Sequence, residues 1–181
     1  MNKEIRLRPT TVEDAPKYIE HLQRHFAESG KDDLIFHPML DLQNRVEADE
    51  IKKIAEKWAK KIPEEGSRLT WIAETSERII GHVDLSPMGV ASARHRLQLG
   101  MGLEKPARGY GWGTLLLKAA IRWSRENAFD WIDLDVFAHN EPALKLYSSQ
   151  GFQSVGTTKD LFRIGGKSID DIHMTLDLRG K

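Results

Sequence analysis

The sequence predicts an α/β fold: a single sheet with helices on its faces. Three observations point there. Segments alternating apolar and polar residues recur along the chain, as half-buried strands do. Between them lie stretches whose apolar residues fall at helical spacing. One strand, glycine turn, helix and strand near 97–137 is long enough for a parallel crossover. The chain has 181 residues, which suits one domain over 1–181, since domains run to about 100–200 residues. No repeat or Pro/Gly-rich linker divides it.

Taken in order, Ile5 and Leu7 alternate with Arg6 and Arg8 and predict a short first strand. Thr10 and Thr11 before Glu13 and Asp14 signal a helix start, and the pattern predicts a helix over about 12–29, ended by Gly30. Lys31 to Asn44 reads as irregular, with Pro38 as a breaker. Val46, Ile51, Ile54, Ala55, Trp58 and Ile62 give a second helix over 45–61, with Pro63 and Gly66 closing it. Leu69, Trp71 and Ala73 begin the strands. A turn at Ser76–Arg78 leads to Ile79, Gly81, Val83 and Leu85 on one strand face. After the loop 87–93, Leu97, Leu99, Met101 and Leu103 alternate with Gln98, Gly100, Gly102 and Glu104.

Past Pro106 comes the turn Arg108-Gly109-Tyr110-Gly111-Trp112-Gly113. The following helix carries Leu115, Leu116, Ala119, Ala120 and Trp123, widened by Leu117 and Ile121. Ile132, Leu134 and Val136 form a strand. Pro142, suited to a first helical turn, opens a short helix with Ala143, Leu144, Leu146 and Tyr147. Gly151-Phe152 starts a strand, Gly165-Gly166 marks a hairpin turn, and Ile172, Met174, Leu176 and Leu178 alternate in the last strand. Trp71, Trp112, Trp123 and Trp131 read as core residues.

Lys plus Arg and Asp plus Glu each number 27, a net charge of zero. This argues against a dedicated nucleic-acid binder, which carries a basic excess. There is no cysteine, so disulfides, thiolate metal sites and a Cys nucleophile are excluded. No apolar run approaches the ~18 residues of a membrane span, and the N-terminus shows no apolar signal core. The expectation is a cytoplasmic protein without a membrane partner.

The strand–glycine–helix unit at 97–123 carries the clearest chemistry. Glycines 109, 111 and 113 let backbone N–H groups face one point without Cβ obstruction. The helix start adds unpaired donors and partial positive charge, and Arg108 a full one. Together they suit a diphosphate. The Walker pattern fails, because Leu161 stands where the first glycine before Gly166-Lys167-Ser168 belongs. The dinucleotide pattern fails because the spacing is G-x-G-x-G. His21 and His25 are four apart, but Leu22 replaces the Glu of H-E-x-x-H and no third ligand is evident. They read as surface histidines of an amphipathic helix, and no metal is expected. The charge run from Glu47 to Lys61 reads as a solvated helix face.

Arg108 to Gly113 matches R-x-x-G-x-G/A after Met101-Gly102-Leu103-Glu104-Lys105-Pro106. Asn140-Glu141-Pro142-Ala143-Leu144-Lys145-Leu146-Tyr147 and Gln150-Gly151-Phe152 follow in order. This pattern, over roughly 97–155, resembles the GNAT superfamily of N-acetyltransferases. The resemblance implies a mixed central sheet flanked by helices on both faces, with acetyl-CoA as co-substrate. It implies that the backbone of Met101 and Leu103, with Gly102 between them, holds the pantetheine arm. The amides of Arg108, Gly109, Tyr110, Gly111, Trp112 and Gly113 would hold the diphosphate. Asn140 would bond the cofactor arm, and Tyr147 would lie near the thioester sulfur. Glu104 stands where many relatives carry a neutral or His residue.

The implied reaction is direct attack of an amine on a thioester carbonyl, which needs no enzyme nucleophile. The leaving thiolate calls for a proton donor, and Tyr147 fits, although it also shares a packing face with Ala143. Glu104 or Asp84 would accept the amine proton, both lying on polar strand faces near the motif strand. Read alone, His82 with Asp84, Asp133 with Asp135, and His139 are solvated strand faces or loop ends. The acceptor would be a small-molecule or peptide amine: an amino acid or analogue, a polyamine or a protein N-terminus. The segment 25–45 and the hairpin near 156–170 would shape its pocket. Homodimers are common among proteins of this kind. The alternatives in other classes are a non-catalytic acyl-CoA-binding or sensor module, which would dispense with Tyr147, and an unrelated nucleotide binder.

Overall fold

The computed structural model describes residues 5–31, 35–38 and 48–180. The elements are β1 (Arg6–Pro9), α1 (Ala15–Phe26), α2 (Ala48–Ala59), β2 (Leu69–Glu74), β3 (Ile79–Pro87), β4 (Arg96–Leu103), α3 (Trp112–Glu126), β5 (Trp131–Phe137), α4 (Glu141–Ser149), β6 (Gln153–Ile164) and β7 (Lys167–Asp177). Their order is the expected one. The first helix is shorter than the periodicity suggests: Val12–Asp14 is a 3-10 turn, and the α-helix ends at Phe26. Val46, placed on the second helix from its spacing, lies outside the described residues.

The strands form one mixed sheet in the order β1-β2-β3-β4-β5-β7-β6. Every neighbouring pair is antiparallel except β4 and β5, which α3 joins as a parallel crossover. Gly165 and Gly166 both have positive φ, 57° and 77°, and make the β6–β7 hairpin turn.

Alternation gives this sheet two unlike faces. Val83, Leu85, Leu97, Leu99, Ile132, Leu134, Met174 and Leu176 point to one side. There they form the main core with Leu116, Leu117, Ala120 and Ile121 of α3 and Tyr147 of α4. On the other side, α1 and α2 cover Ile72 and Ile79 with Tyr18, Ile19 and Ile54. That second face also holds the register pairs His82↔Gly102 and Asp84↔Gly100. The polar strand face is therefore roofed by helices, not solvated: His82 and Asp84 are buried.

β4 and β5 pair only through Arg96↔Trp131, Leu97↔Ile132 and Gln98↔Asp133. Beyond that point β4 stays with β3 as far as Leu103, and β5 stays with β7 as far as Phe137. The two parallel strands thus part company toward their C-terminal ends. The closed end is tied across three strands, because Asp133 accepts hydrogen bonds from Arg96 Nε (2.7 Å) and Thr175 Oγ1 (2.7 Å).

The tryptophans divide. Trp71 and Trp123 meet edge to face at 6.0 Å against the main core. Trp131 instead lies half-buried between the guanidinium groups of Arg96 and Arg179, at 4.8 and 4.4 Å. Trp112 is a half-buried residue at the first position of α3. No helix among the described residues is long and apolar enough to cross a membrane.

Candidate active site

The glycine turn follows β4 through a 3-10 turn at Lys105–Ala107. Gly109 and Gly111 have φ of 82° and 83°, a region that L side chains enter only at a cost of about 1–2 kcal/mol. Leu115 N–H donates to Gly111 O at 3.1 Å and starts the helical ladder. None of the backbone N–H groups from Gly109 to Thr114 donates to another group among the described residues. A Cβ at 109 or 111 would meet nothing within 4 Å, whereas one at 113 would stand 3.2 Å from Leu146 Cδ2 and 3.4 Å from Met101 Cε. The first two glycines shape the donor row; the third lets α3 approach β4 and α4.

Arg108 takes a different place from the one its charge suggests. Its N–H bonds Lys105 O, and its Nε donates to Leu103 O at 2.8 Å. Its terminal nitrogen pairs with Glu28, whose carboxylate also accepts the Lys105 N–H. The row of free donors therefore begins at Gly109, and the Arg108 side chain braces the turn against the end of α1. Tyr110 is 77% exposed.

Glu104 N–H donates to Ile80 O at 2.9 Å. Strand alternation then turns the Gly102 N–H toward β3 and the Met101 and Leu103 N–H groups toward the gap beside β5. Of these three residues, Met101 and Leu103 present backbone to that gap. Asn140 follows β5 directly and caps α4, its Oδ1 accepting from Ala143 N–H at 3.3 Å. On that helix Tyr147 is buried, its ring 5.8 Å from Phe152. Its hydroxyl has no hydrogen-bond partner among the described residues, and burial pushes it up to about 12.

Across the sheet, the helix-covered face holds a buried polar chain. His21 Nδ1 lies 2.9 Å from Glu104 Oε1, and His21 Nε2 lies 2.9 Å from His82 Nδ1. Arg24 Nε donates to the same Glu104 oxygen at 3.0 Å, and Arg78 lies 3.1 Å from the other. Burial alone would raise the Glu104 carboxyl, but His21, Arg24 and Arg78 hold it below the usual range. Asp84 sits at the far end, 3.8 Å from His82 Nε2 and 3.6 Å from Arg68. Burial raises its carboxyl, against the pull of Arg68. His25, stacked on Phe36 at 4.7 Å, is pushed down to about 3, chiefly by burial.

The histidines of α1 are thus interior residues, not surface ones: His21 is fully buried and His25 nearly so. Leu22 separates them on the same helix, so the i, i+4 spacing was legible but its surroundings were not. Local patterns marked His21 and His82 only as solvated residues and did not single out Arg24, yet all three belong to this buried chain. The sequence signal for their burial is Gly100 and Gly102: a Cβ at 102 would stand 2.6 Å from His82 Cε1 and from His25 Nε2. Glycines inside a strand mark a close approach, and here the protein's own His25, His82 and Asp84 side chains make it. Asp133 is buried in its Arg96 pair, while Asp135 is exposed and bonds His173 at 2.8 Å. No cluster of three or more metal-ligating side chains exists among the described residues.

The described part of the 25–45 segment meets the β6–β7 hairpin. Ile35 is buried with Phe137, Ile164 and Ile169, and His139 Nε2 lies 2.6 Å from Ile35 O.

Residues 35–152 match the family described as Acetyltransferase (GNAT) family. Human N-acetyltransferase 8B is 28% identical over 102 residues, 55% of this chain and 44% of that protein. The chain thus spans less than half the length of this relative. The L-amino acid N-acetyltransferase AaaT of Escherichia coli (strain K12) is 27% identical over 100 residues, 53% of this chain and 60% of that protein. Among solved structures, an acetyltransferase of the GNAT family from Streptococcus pneumoniae has a TM-score of 0.82 at 26% identity, covering 95% of this chain and 98% of that one. YncA from Salmonella typhimurium, a putative acetyltransferase solved with its cofactor acetyl-CoA, has a TM-score of 0.81. It is 14% identical, over 98% of this chain and 96% of that one, a likeness of fold alone.

Proposed function

This chain belongs to the Acetyltransferase (GNAT) family, and on that premise we propose that it moves an acetyl group from acetyl-CoA to a primary amine by direct attack on the thioester. The observation that carries this reading is the run of unpartnered N–H groups from Gly109 to Thr114 at the start of α3, beside the opening between β4 and β5. Such a row suits a diphosphate. The gap-facing N–H groups of Met101 and Leu103 suit the amide-bearing arm of the same molecule, with Asn140 nearby in sequence from β5.

Acetyl-CoA would supply an acetyl group already activated as a thioester. A backbone N–H of β4 would stabilise the oxyanion as it develops. Tyr147 donates its hydroxyl proton to the departing thiolate and regains one from the nitrogen as the amide forms. The amine proton leaves toward the polar face, where Asp84 and Glu104 lie at the two ends of the histidine pair. For the acceptor we favour a small amine of the amino-acid class. The names of the Escherichia coli relative and of a putative phosphinothricin acetyltransferase from Bacillus subtilis point that way.

The test is calorimetric titration with acetyl-CoA, ATP and NAD, followed by detection of free CoA thiol across a panel of L-amino acids, spermidine and alanyl peptides. Acetyl-CoA binding with amine-dependent thiol release is the expected result. Binding without release by any amine would favour a non-catalytic acyl-CoA module, and preference for ATP or NAD would remove the reading.

A further inference from the structure

The buried histidine pair has a direction. Glu104 is held ionised by Arg24 and Arg78, so it accepts and does not donate. His21 Nδ1, 2.9 Å away, must then carry the hydrogen. A neutral His21 leaves a lone pair on Nε2, so the hydrogen in its 2.9 Å contact with His82 belongs to His82 Nδ1. His82 Nε2 is left as a lone pair, directed to the side of Asp84 Oδ2 at 3.8 Å. That edge lies over β4 at Gly100 and Gly102, the residues flanking Met101.

We propose that His82 Nε2 receives the acceptor amine's proton and passes its Nδ1 proton to His21, where Glu104 balances the charge. An N–H bond forms at His82 Nε2 and another at His21 Nε2, and the His82 Nδ1–H bond breaks. The new His82 Nε2–H faces Asp84, and His21 becomes an imidazolium against Glu104. The one proton that the net reaction releases is thereby moved off the ammonium and later returned to solvent. His82 is the catalytic residue; His21 and Glu104 are positioning residues. This rests on the acetyl-transfer reading above and names the base within it.

The groups facing the pair from α1 are Tyr18, Arg24 and His25, with Glu28 beyond its end. From β3 and the turns around β2 they are Arg68, Arg78 and Asp84, and from the end of β4, Glu104. Burial lowers His82 and His21 below the ordinary histidine value, with Glu104 opposing it at His21. Both rings are therefore neutral at pH 7, as the relay requires.

The first experiment needs no substrate. Long-range 1H–15N spectra of the histidine rings of the whole protein at pH 7.5, assigned with His21→Asn and His82→Gln, should show both rings as Nδ1–H tautomers. Either ring found as Nε2–H overturns the proposal. The second uses the amine that gives the fastest thiol release. His82→Gln should lower kcat about 100-fold and abolish the acidic limb of the kcat profile, with acetyl-CoA affinity by calorimetry within twofold of the parent. Glu104→Gln removes the charge that favours a proton on His21, so its acidic limb should move to lower pH while the plateau falls. Parent-like limbs in both variants would overturn the relay while leaving acetyl transfer intact. An inactive parent protein with both Nδ1–H tautomers would overturn the acetyl-transfer reading and the catalytic relay with it.

Discussion

Gly102 on β4 stands directly across from His82 on β3, and a Cβ at 102 would lie 2.6 Å from both His82 Cε1 and His25 Nε2. The strand beside the site is thus bare because α1 lays the His25 imidazole on it and β3 the His82 imidazole. Gly102→Ala would push rings that are packed on every side. It should cost about 1–3 kcal/mol of stability, measured by urea denaturation, and shift the histidine ring resonances of 25 and 82. A variant as stable as the parent with unmoved resonances would contradict this packing.

The glycine turn separates conformation from bulk. Gly109 and Gly111 have room for a methyl group, yet both need positive φ. Gly111→Ala should destabilise by about 1–2 kcal/mol and weaken acetyl-CoA about tenfold by calorimetry, through reorientation of the N–H row. Unchanged affinity would show that the row does not hold the diphosphate.

Tyr147→Phe keeps the ring against Phe152 and deletes a hydroxyl without a partner among the described residues. Its stability should stay within about 0.5 kcal/mol of the parent, while kcat falls about 100-fold and acetyl-CoA affinity is kept. The donor must be protonated to act. Because burial pushes this hydroxyl up to about 12, no alkaline limb from Tyr147 should appear in kcat up to pH 10.

Asp133 ties β4, β5 and β7 at the closed end of the split. Burial alone would raise its carboxyl, but Arg96 and Thr175 outweigh that and hold it low. A depressed carboxyl contributes stability above the unfolded value of about 3.9 and loses it as pH falls through the folded value. Asp133→Asn weakens charge-assisted hydrogen bonds and should therefore cost about 2 kcal/mol at pH 7, and the deficit should shrink below about pH 4. A deficit that is the same at pH 3 and pH 7 would show that charge plays no part.

The element order, the mixed sheet's crossover and the glycine turn could be read from the sequence because each depends on neighbours a few residues apart. Alternation marked Leu97, Leu99 and Met101 as one face, and spacing marked α3 as the helix that covers it. The turn at 109–113 needs only its own φ angles and the helix end that follows. Local patterns could not say what lies opposite a polar strand face. His82 and Asp84 read as solvated, yet α1 and α2 cover them. His21 meets His82 across 61 residues of chain and Glu104 across 83. Arg108, which the turn alone would aim at a phosphate, finds Glu28 80 residues away. A polar side chain carries no periodic signal of whether its partner is water or another buried group, so packing of distant elements alone settles its charge and its tautomer.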